Sequence, residues 1–193
     1  SIDVAGALGF YFERTGNAEQ AKIYYERAIH LSNDSGAQLN NFGAFLCREK
    51  NYELANQYFE KARRDLHYLN SAGALENAGL CSLEKPNLVM AEKYFKRAFE
   101  QDPKRIKSLY ELMKIAFDKK DYHKALQWVE QYQTVNPLEP AVSLLAYKAA
   151  RSAGLKNKAD NFAWLLKNRF PKSFEYKQLA ESSENDNRQS NIS

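Results

Sequence analysis

A period of about 34 residues runs through the chain and constrains its fold more than any other feature. Five alanines mark the period at intervals of 34, 36, 34 and 34 residues: Ala21, Ala55, Ala91, Ala125 and Ala159. An aromatic residue stands three positions after each of these alanines. Self-similarity at such a period is typical of stacked repeats, in which each repeat buries its apolar face against its neighbours.

The spacing resembles that of the tetratricopeptide repeat, in which two antiparallel helices, A and B, form each repeat. Pro103, Pro137 and Pro171 stand where helix B would end, because proline cannot continue a helix. We therefore expect an all-α fold, a right-handed superhelix (α-solenoid) of five helix pairs. The predicted repeats are residues 2–34, 36–68, 72–105, 106–139 and 140–172, within a repeat domain of residues 1–180 that ends in a short capping segment. Residues 181–193 are polar except for Ile192, and we expect a disordered tail there.

One contact within the repeat changes character along the chain. The first three repeats combine a glycine on helix A with a tyrosine or phenylalanine on helix B. The last two combine Met113 with Val129 and Tyr147 with Ala163. We interpret this exchange as volume compensation, since core density has to be conserved. Unrelated drift is the alternative.

Composition and motifs argue against several classes of function. The 28 Lys and Arg against 24 Asp and Glu leave a net charge of +4, too small for a nucleic-acid footprint. His30, His67 and His123 lie in different repeats, and none has a second metal ligand at a suitable spacing. Phosphate loops, dinucleotide fingerprints and nucleophile elbows do not occur. We therefore expect a non-enzymatic protein with no catalytic residues, no metal and no cofactor.

The A helices of a tetratricopeptide array line its concave face, so their inward stripe is the candidate binding surface. The repeat register assigns these residues to a partner-binding groove: Phe10, Arg14, Asn40, Asn41, Ala44, Arg48, Glu76, Asn77, Leu80, Tyr110 and Lys114. The same stripe includes Glu13, Phe117, Leu144, Lys148 and Arg151.

Adjacent asparagines inside a helix need a reason, because asparagine is a poor helix-interior residue. Asn40 and Asn41, with Asn77 one repeat later, could bond the backbone of an extended peptide. Alternatively, their amides cap or bridge neighbouring helices, and the sequence leaves both interpretations open. The Lys and Asn clamp of co-chaperone tetratricopeptide domains is not matched, since Gly6 and Phe10 occupy the first-repeat positions.

The two cysteines, Cys47 and Cys81, lie near the ends of A helices in adjacent repeats. Neighbouring A helices are close in space, so a disulfide is allowed if the two Cα atoms come within about 7 Å. Two buried thiols are the alternative, because free cysteine is a common core residue. Composition alone slightly favours the thiols.

Three segments resemble one specific family. Residues 40–47 (NNFGAFLC) and 74–81 (ALENAGLC) are similar to the two cysteine motifs of the PilW/PilF family of type IV pilus biogenesis and stability proteins. Residues 169–176 (RFPKSFEY) are similar to the ending of the same family. The resemblance extends over nearly the whole chain, from about residue 7 to residue 179.

The resemblance implies a pilotin-type lipoprotein on the periplasmic face of the bacterial outer membrane. Its partner would be the pilus secretin or another pilus assembly component, and its role would be secretin assembly or pilus stability. It also favours a Cys47–Cys81 disulfide, because the periplasm is oxidising and the family has cysteines at both positions.

The family typically carries six repeats after a lipidated cysteine. We therefore expect a signal segment, a lipid anchor and a further repeat upstream of Ser1, with that anchor as the sole membrane contact. A monomer is expected. The alternative function is a generic peptide-binding adaptor or co-chaperone in the cytosol, which would have free thiols.

Overall fold

The computed structural model describes the backbone of residues 1–190 and the side chains of residues 1–182. All regular elements in this range are helical. They are α1 (Ile2–Arg14), α2 (Ala18–Leu31), α3 (Gly36–Arg48), α4 (Tyr52–Arg64), α5 (Ser71–Glu84), α6 (Leu88–Gln101), α7 (Ile106–Asp118), α8 (Tyr122–Val135), α9 (Pro140–Ser152), α10 (Lys156–Arg169) and α11 (Phe174–Ser190). Helices α1 to α10 form five consecutive A–B pairs, which confirms the predicted all-α repeat fold.

Polar side chains fix the start of three B helices at the same position in the repeat. Asn17, Asn87 and Asp121 each accept a hydrogen bond at 3.1 Å from the backbone N–H three residues later. Each bond satisfies an N–H that the first turn of a helix leaves without an intrahelical partner. Helix B therefore begins directly after the turn that follows helix A.

The turn between helices A and B uses a left-handed backbone residue in four of the five repeats. Gly16, Lys50, Lys120 and Gly154 have φ angles between 62° and 78°. Pro86 stands at the equivalent position of the third repeat, and its ring holds φ negative. The lysines adopt a conformation that favours glycine, and this costs stability.

The chain divides into two compact units, Ser1–Arg105 and Ile106–Ser193, here called the N-terminal and C-terminal units. In each repeat of the N-terminal unit, one helix-A glycine makes room for an aromatic ring on helix B. The pairs, with the distance from an ideal Cβ on the glycine to the ring, are Gly9–Tyr25 (3.0 Å), Gly43–Phe59 (2.8 Å) and Gly79–Phe95 (2.7 Å). A larger side chain at the second or third glycine would therefore have to displace the ring.

The C-terminal unit fills the same repeat positions the other way round. Met113 and Val129 are both buried in its core. Tyr147 and Ala163 pack against the same leucine cluster. A large residue on helix A thus accompanies a small residue on helix B, in agreement with volume compensation.

Helix α11 closes the C-terminal unit. Its Leu179 is buried with Leu144 and Leu166, so the segment after Pro171 caps the last repeat. The helix continues to Ser190, whereas we expected a disordered tail from residue 181. No proline or glycine, the two residues that interrupt helices most strongly, follows Leu179 in the sequence. The rest of that predicted tail, residues 191–193, lies outside the described residues.

Candidate functional site

Four of the predicted groove residues line one pocket of the N-terminal unit. Ala44 and Arg48 lie on α3, Asn77 and Leu80 lie on α5, and the pocket has a volume of about 390 Å³. Its other lining residues are Cys47, Lys50, Tyr52, Phe59, Cys81 and Glu84. Apolar side chains with a few polar groups form the usual wall of a site that accepts an apolar group from a partner.

The two cysteines join the helices that form this pocket. Cys47 on α3 and Cys81 on α5 form a disulfide, and their Cα atoms are 5.8 Å apart. That separation lies within the range that disulfides require. Both cysteines line the pocket, so the bond fixes the distance between two of its walls.

An ion cluster connects α1 to α3 beside the pocket. Arg48 donates through Nε to Glu13 Oε1 and through Nη2 to Glu13 Oε2, the latter at 3.0 Å. The Tyr25 hydroxyl, on α2, donates to Glu13 Oε2 at 2.8 Å. The Glu13 side chain is only 11% exposed. A paired arginine of this kind is held in one orientation, which fixes one side of the pocket.

Burial and hydrogen bonding act in opposite directions on the pKa of Glu13. Burial is the largest single influence and favours the neutral acid, which raises the pKa. The hydrogen bonds from Arg48 and Tyr25 and the nearby positive charges lower the pKa, and together they hold it below its ordinary value. The pKa of Tyr25 is raised, because the phenol is buried and donates to the Glu13 carboxylate. At neutral pH the cluster is therefore a carboxylate, a guanidinium and a neutral phenol.

Two of the three predicted asparagines bond to each other. Asn77 Nδ2 donates to Asn40 Oδ1 at 3.0 Å, from α5 to α3. Asn40 is 8% exposed. The pair therefore bridges two neighbouring helices, which is the alternative to peptide binding given in the sequence analysis. Asn41 is exposed and is the amide of the three that is most accessible to a partner.

The other predicted residues of this unit lie outside the pocket. Phe10 is 57% exposed on α1, and Arg14 is exposed on the same helix. Glu76, on α5, lies near Arg105, with 3.7 Å between Oε1 and Nη1. The predicted stripe is thus a pocket flanked by an exposed phenylalanine and by an ion pair.

Tyr110 and Lys114 form a separate group in the C-terminal unit. Lys114 Nζ lies 5.7 Å from the centre of the Tyr110 ring and donates to the buried Glu111 at 3.0 Å. Four more residues of the predicted stripe line a second pocket of about 300 Å³ in this unit. Its lining residues are Phe117, Leu144, Tyr147, Lys148, Arg151, Ser152, Gln178 and Ser182.

The sequence analysis missed Tyr25, Lys50, Tyr52, Phe59 and Glu84 as residues of the site. Four of them belong to helix B or to the turn, which the helix-A stripe leaves out, and Glu84 is the last residue of α5, beyond the predicted stripe. One signal was available for Tyr25. The first repeat has a hydroxyl at a ring position where the next two repeats have phenylalanine, and a buried tyrosine hydroxyl usually has a polar partner.

Metal-ligand clusters and membrane-spanning helices are both absent from the part of the chain that the structure describes. In that range, no group of three or more His, Cys, Asp or Glu side chains is placed to hold a metal ion. No described helix combines the length and the apolar character needed to cross a bilayer.

The helix pairs, the glycine–aromatic contacts and the A–B turns define the class of protein. A tetratricopeptide repeat family model matches residues 2–35, and the fold of the chain is of the tetratricopeptide repeat type.

Within this class, the chain is similar to type IV pilus proteins. It is 25% identical to the type IV pilus assembly protein PilF of Pseudomonas aeruginosa over an alignment of 179 residues. This alignment covers 93% of this chain and 71% of PilF. It is 34% identical over 102 residues to an uncharacterised protein of Haemophilus influenzae, over 53% of this chain and 57% of that protein. The resemblance to the PilW/PilF family is thereby confirmed.

Solved structures agree with this result. The crystal structure of PilW, described as a widely conserved type IV pilus biogenesis factor, superimposes with a TM-score of 0.76 at 25% identity, over 93% of this chain and 83% of that chain. The structure of Pseudomonas aeruginosa PilF gives a TM-score of 0.73 at 25% identity, over 94% and 82%. MamA, at 14% identity and a TM-score of 0.67, over 90% of this chain and 97% of that chain, shares the fold alone.

Proposed function

We propose that this chain is a non-enzymatic type IV pilus biogenesis factor. It acts as a pilotin-type scaffold that binds a segment of the pilus secretin and promotes secretin assembly or pilus stability. The observation that carries the proposal is the similarity to PilF, which extends over 93% of the chain and is not confined to one generic repeat.

The pocket between α3 and α5 is the binding site in this proposal. Leu80 and Ala44, which are half-buried, would contact an apolar side chain of the secretin segment. Asn41 and Arg48, which are exposed, would contact its backbone and polar groups. Asn40 has a different role, because its amide oxygen accepts from Asn77 and keeps the two helices in register.

Pre-organisation supports a binding role. Three cross-links hold the A helices together: the Glu13–Arg48 ion pair, the Asn40–Asn77 hydrogen bond and the Cys47–Cys81 disulfide. A surface that is fixed before binding loses little conformational entropy when the partner arrives. The partner segment then bears most of the ordering cost.

The location that fits this function is the periplasmic face of the outer membrane. Disulfides persist in the oxidising periplasm and are rare in the reducing cytosol. The Cys47–Cys81 pair therefore supports the envelope over the cytosolic adaptor that the sequence left open. Intact mass before and after reduction checks the point, since a bridged chain gains two hydrogens and a chain with free thiols gains none.

The function is tested by co-purification of the secretin periplasmic region with the intact chain. Leu80→Glu places a charge in the α3–α5 pocket and is expected to reduce secretin capture by about tenfold or more, as loss of a central contact does. Leu165→Glu is the matched control, since Leu165 is a half-buried leucine that lines a pocket of the C-terminal unit. Far-UV circular dichroism establishes that both variants are folded.

Equal capture by the wild-type chain, Leu80→Glu and Leu165→Glu would remove the pocket from the proposal. Absence of any capture by the folded wild-type chain would overturn secretin binding itself.

A further inference from the structure

The connection between α4 and α5 presents two leucines to solvent. Leu66 is 96% exposed and Leu69 is 100% exposed. This connection has six residues, 65–70, whereas those that precede α3, α7 and α9 have four. A single exposed leucine is ordinary, but two such leucines on one short loop form an apolar tip with no partner in the described chain.

The loop holds these leucines in fixed positions. Asp65 Oδ2 accepts from Gly36 N at 2.6 Å, and Asp65 Oδ1 accepts from His67 N at 2.9 Å. Tyr68, between the leucines, packs so closely on Gly36 that an ideal Cβ there would lie 2.5 Å from Tyr68 Cβ. The residues around the leucines are thus anchored to the protein, and Leu66 and Leu69 are directed away from it.

Exposed cations stand on both sides of this loop. Lys61 and Arg64 belong to the last turn of α4, directly before it. Lys104 is exposed next to Arg105, whose guanidinium bonds Asn70 at the other end of the loop.

Asp34 and Glu100 are exposed at this end of the unit, but the three acidic groups nearest the loop in the chain and on the neighbouring helix ends are engaged by the protein itself. Asp65 accepts two backbone N–H groups, as described above. Asp102 accepts from Arg105 Nε and from Lys104 N, both at 3.1 Å. Glu60 pairs with Arg63 at 2.8 Å and with Arg97 at 2.9 Å. The surface around the leucines therefore combines an apolar tip with accessible positive charge.

We propose that residues 65–70 form a membrane-contacting loop, in which Leu66 and Leu69 enter the interface of an anionic bilayer while Lys61, Arg64 and Lys104 contact its phosphate groups. An anionic lipid surface matches both features, because its acyl region accepts leucines and its headgroups attract lysine and arginine. An apolar protein groove would match the tip but would not require cations on both sides.

A contact of this size is weak by itself and adds to any other attachment that the protein has. It differs from our expectation that a lipid anchor is the sole membrane contact, and it does not depend on secretin binding.

Vesicle flotation of the intact chain tests the loop, with phosphatidylethanolamine–phosphatidylglycerol vesicles compared with phosphatidylcholine vesicles. We expect the wild-type chain to float with the anionic vesicles, and high salt to weaken this binding. Leu66→Ser with Leu69→Ser should lower the partition coefficient by about tenfold or more. Lys61→Gln with Arg64→Gln should lower binding to the anionic vesicles and leave binding to the phosphatidylcholine vesicles unchanged. The matched control is Ile23→Ser with Val89→Ser, two exposed apolar side chains elsewhere in the same unit, which should float like the wild type.

Three results would overturn the membrane proposal. The first is a wild-type chain that does not float with anionic vesicles. The second is a leucine variant that floats as well as the wild type. The third is a leucine variant that loses secretin capture while its vesicle binding is unchanged, because the loop would then dock on protein. None of these results depends on Leu80→Glu, so failure of this proposal and failure of the proposed function remain distinguishable.

Discussion

The two units of the chain fill the same repeat position with opposite residues. In the N-terminal unit, Gly79 on helix A makes room for Phe95 on helix B. In the C-terminal unit, the equivalent residues are Met113 and Val129, and both are buried. A large residue on one helix therefore accompanies a small residue on the other in both units, as the volume-compensation hypothesis predicts.

Side-chain bonds on the A helices of each unit can also be compared. In the N-terminal unit, an ion pair, an amide bond and a disulfide each join one A helix to the next. In the C-terminal unit, Lys114 bonds Glu111 within α7, and Arg151 bonds Tyr147 within α9. We expect the three cross-links to make the helix-A surface of the N-terminal unit rigid.

The largest predicted effect comes from the disulfide, whose cysteines are 34 residues apart. The chain-entropy relation for a loop of this length gives about 3–4 kcal/mol of stabilisation. Urea unfolding with and without reductant should show this loss in the wild-type chain. Cys47→Ala with Cys81→Ala provides the control, because reductant should leave its unfolding unchanged. Identical curves for the oxidised and reduced wild-type chain would contradict the prediction.

Exchange of the compensating pair tests the first difference between the units. Gly79→Met places a long side chain where an ideal Cβ already lies 2.7 Å from the Phe95 ring, and it should cost about 1–3 kcal/mol through overpacking. Adding Phe95→Val recreates the arrangement of Met113 and Val129, and more than half of the lost stability should return. A double variant no more stable than Gly79→Met would show that volume compensation is the wrong explanation.

Removal of the amide bridge should have a smaller effect. Asn77→Ala leaves Asn40 Oδ1 buried without its present donor, and it should cost about 1–2 kcal/mol of unfolding free energy. Asn40→Ala with Asn77→Ala should cost less than the two single changes added together. Strict additivity in this double-mutant cycle would show that the two amides do not interact in solution.

The Glu13 cluster should make stability depend on pH. Because the pKa of Glu13 is lowered in the folded chain, its contribution is fully present above the ordinary glutamate pKa of about 4.3 and is lost as pH falls through the folded-state value. Glu13→Gln should therefore destabilise the chain at pH 7 and flatten the acid limb of the stability profile. Parallel acid limbs for the wild type and Glu13→Gln would count against the cluster.

The smallest effect is expected in the A–B turns. Lys120 has φ = 62°, so Lys120→Gly should stabilise the C-terminal unit by about 0.5–1 kcal/mol. Lys85→Gly is the control, since Lys85 has φ = −92° and gains nothing from glycine. Thermal unfolding of both variants checks the sign, and a lower midpoint for Lys120→Gly would refute the assignment of strain to this turn.

Much of the fold follows from the sequence, because the period of alanines, glycines and aromatics directly reflects helix packing. The five helix pairs and the Gly79–Phe95 type of contact are encoded in this spacing. The length of α11 was not predictable in the same way. Polar composition indicates a lack of core contacts, but a helix anchored by Leu179 can extend through polar residues that do not break it.

The candidate site was only partly predictable. Register placed Ala44, Arg48, Asn77 and Leu80 on one stripe, and the structure brings these four into one pocket. The repeat register could not show whether an asparagine amide faces a partner or the next helix. That direction depends on the distances between helices, which the sequence does not give. The contribution of Phe59 was missed for a related reason, since the helix-B side of a pocket is not visible in the periodicity of helix A.

Hydrogen exchange of the intact chain, with and without the secretin periplasmic region, tests most directly whether the N-terminal unit is the partner-binding half. We predict that secretin slows amide exchange in α3 and α5, around Ala44 and Leu80, and leaves α8 and α10 unchanged. Protection confined to residues after Ile106, or no change anywhere in the presence of bound secretin, would contradict this account.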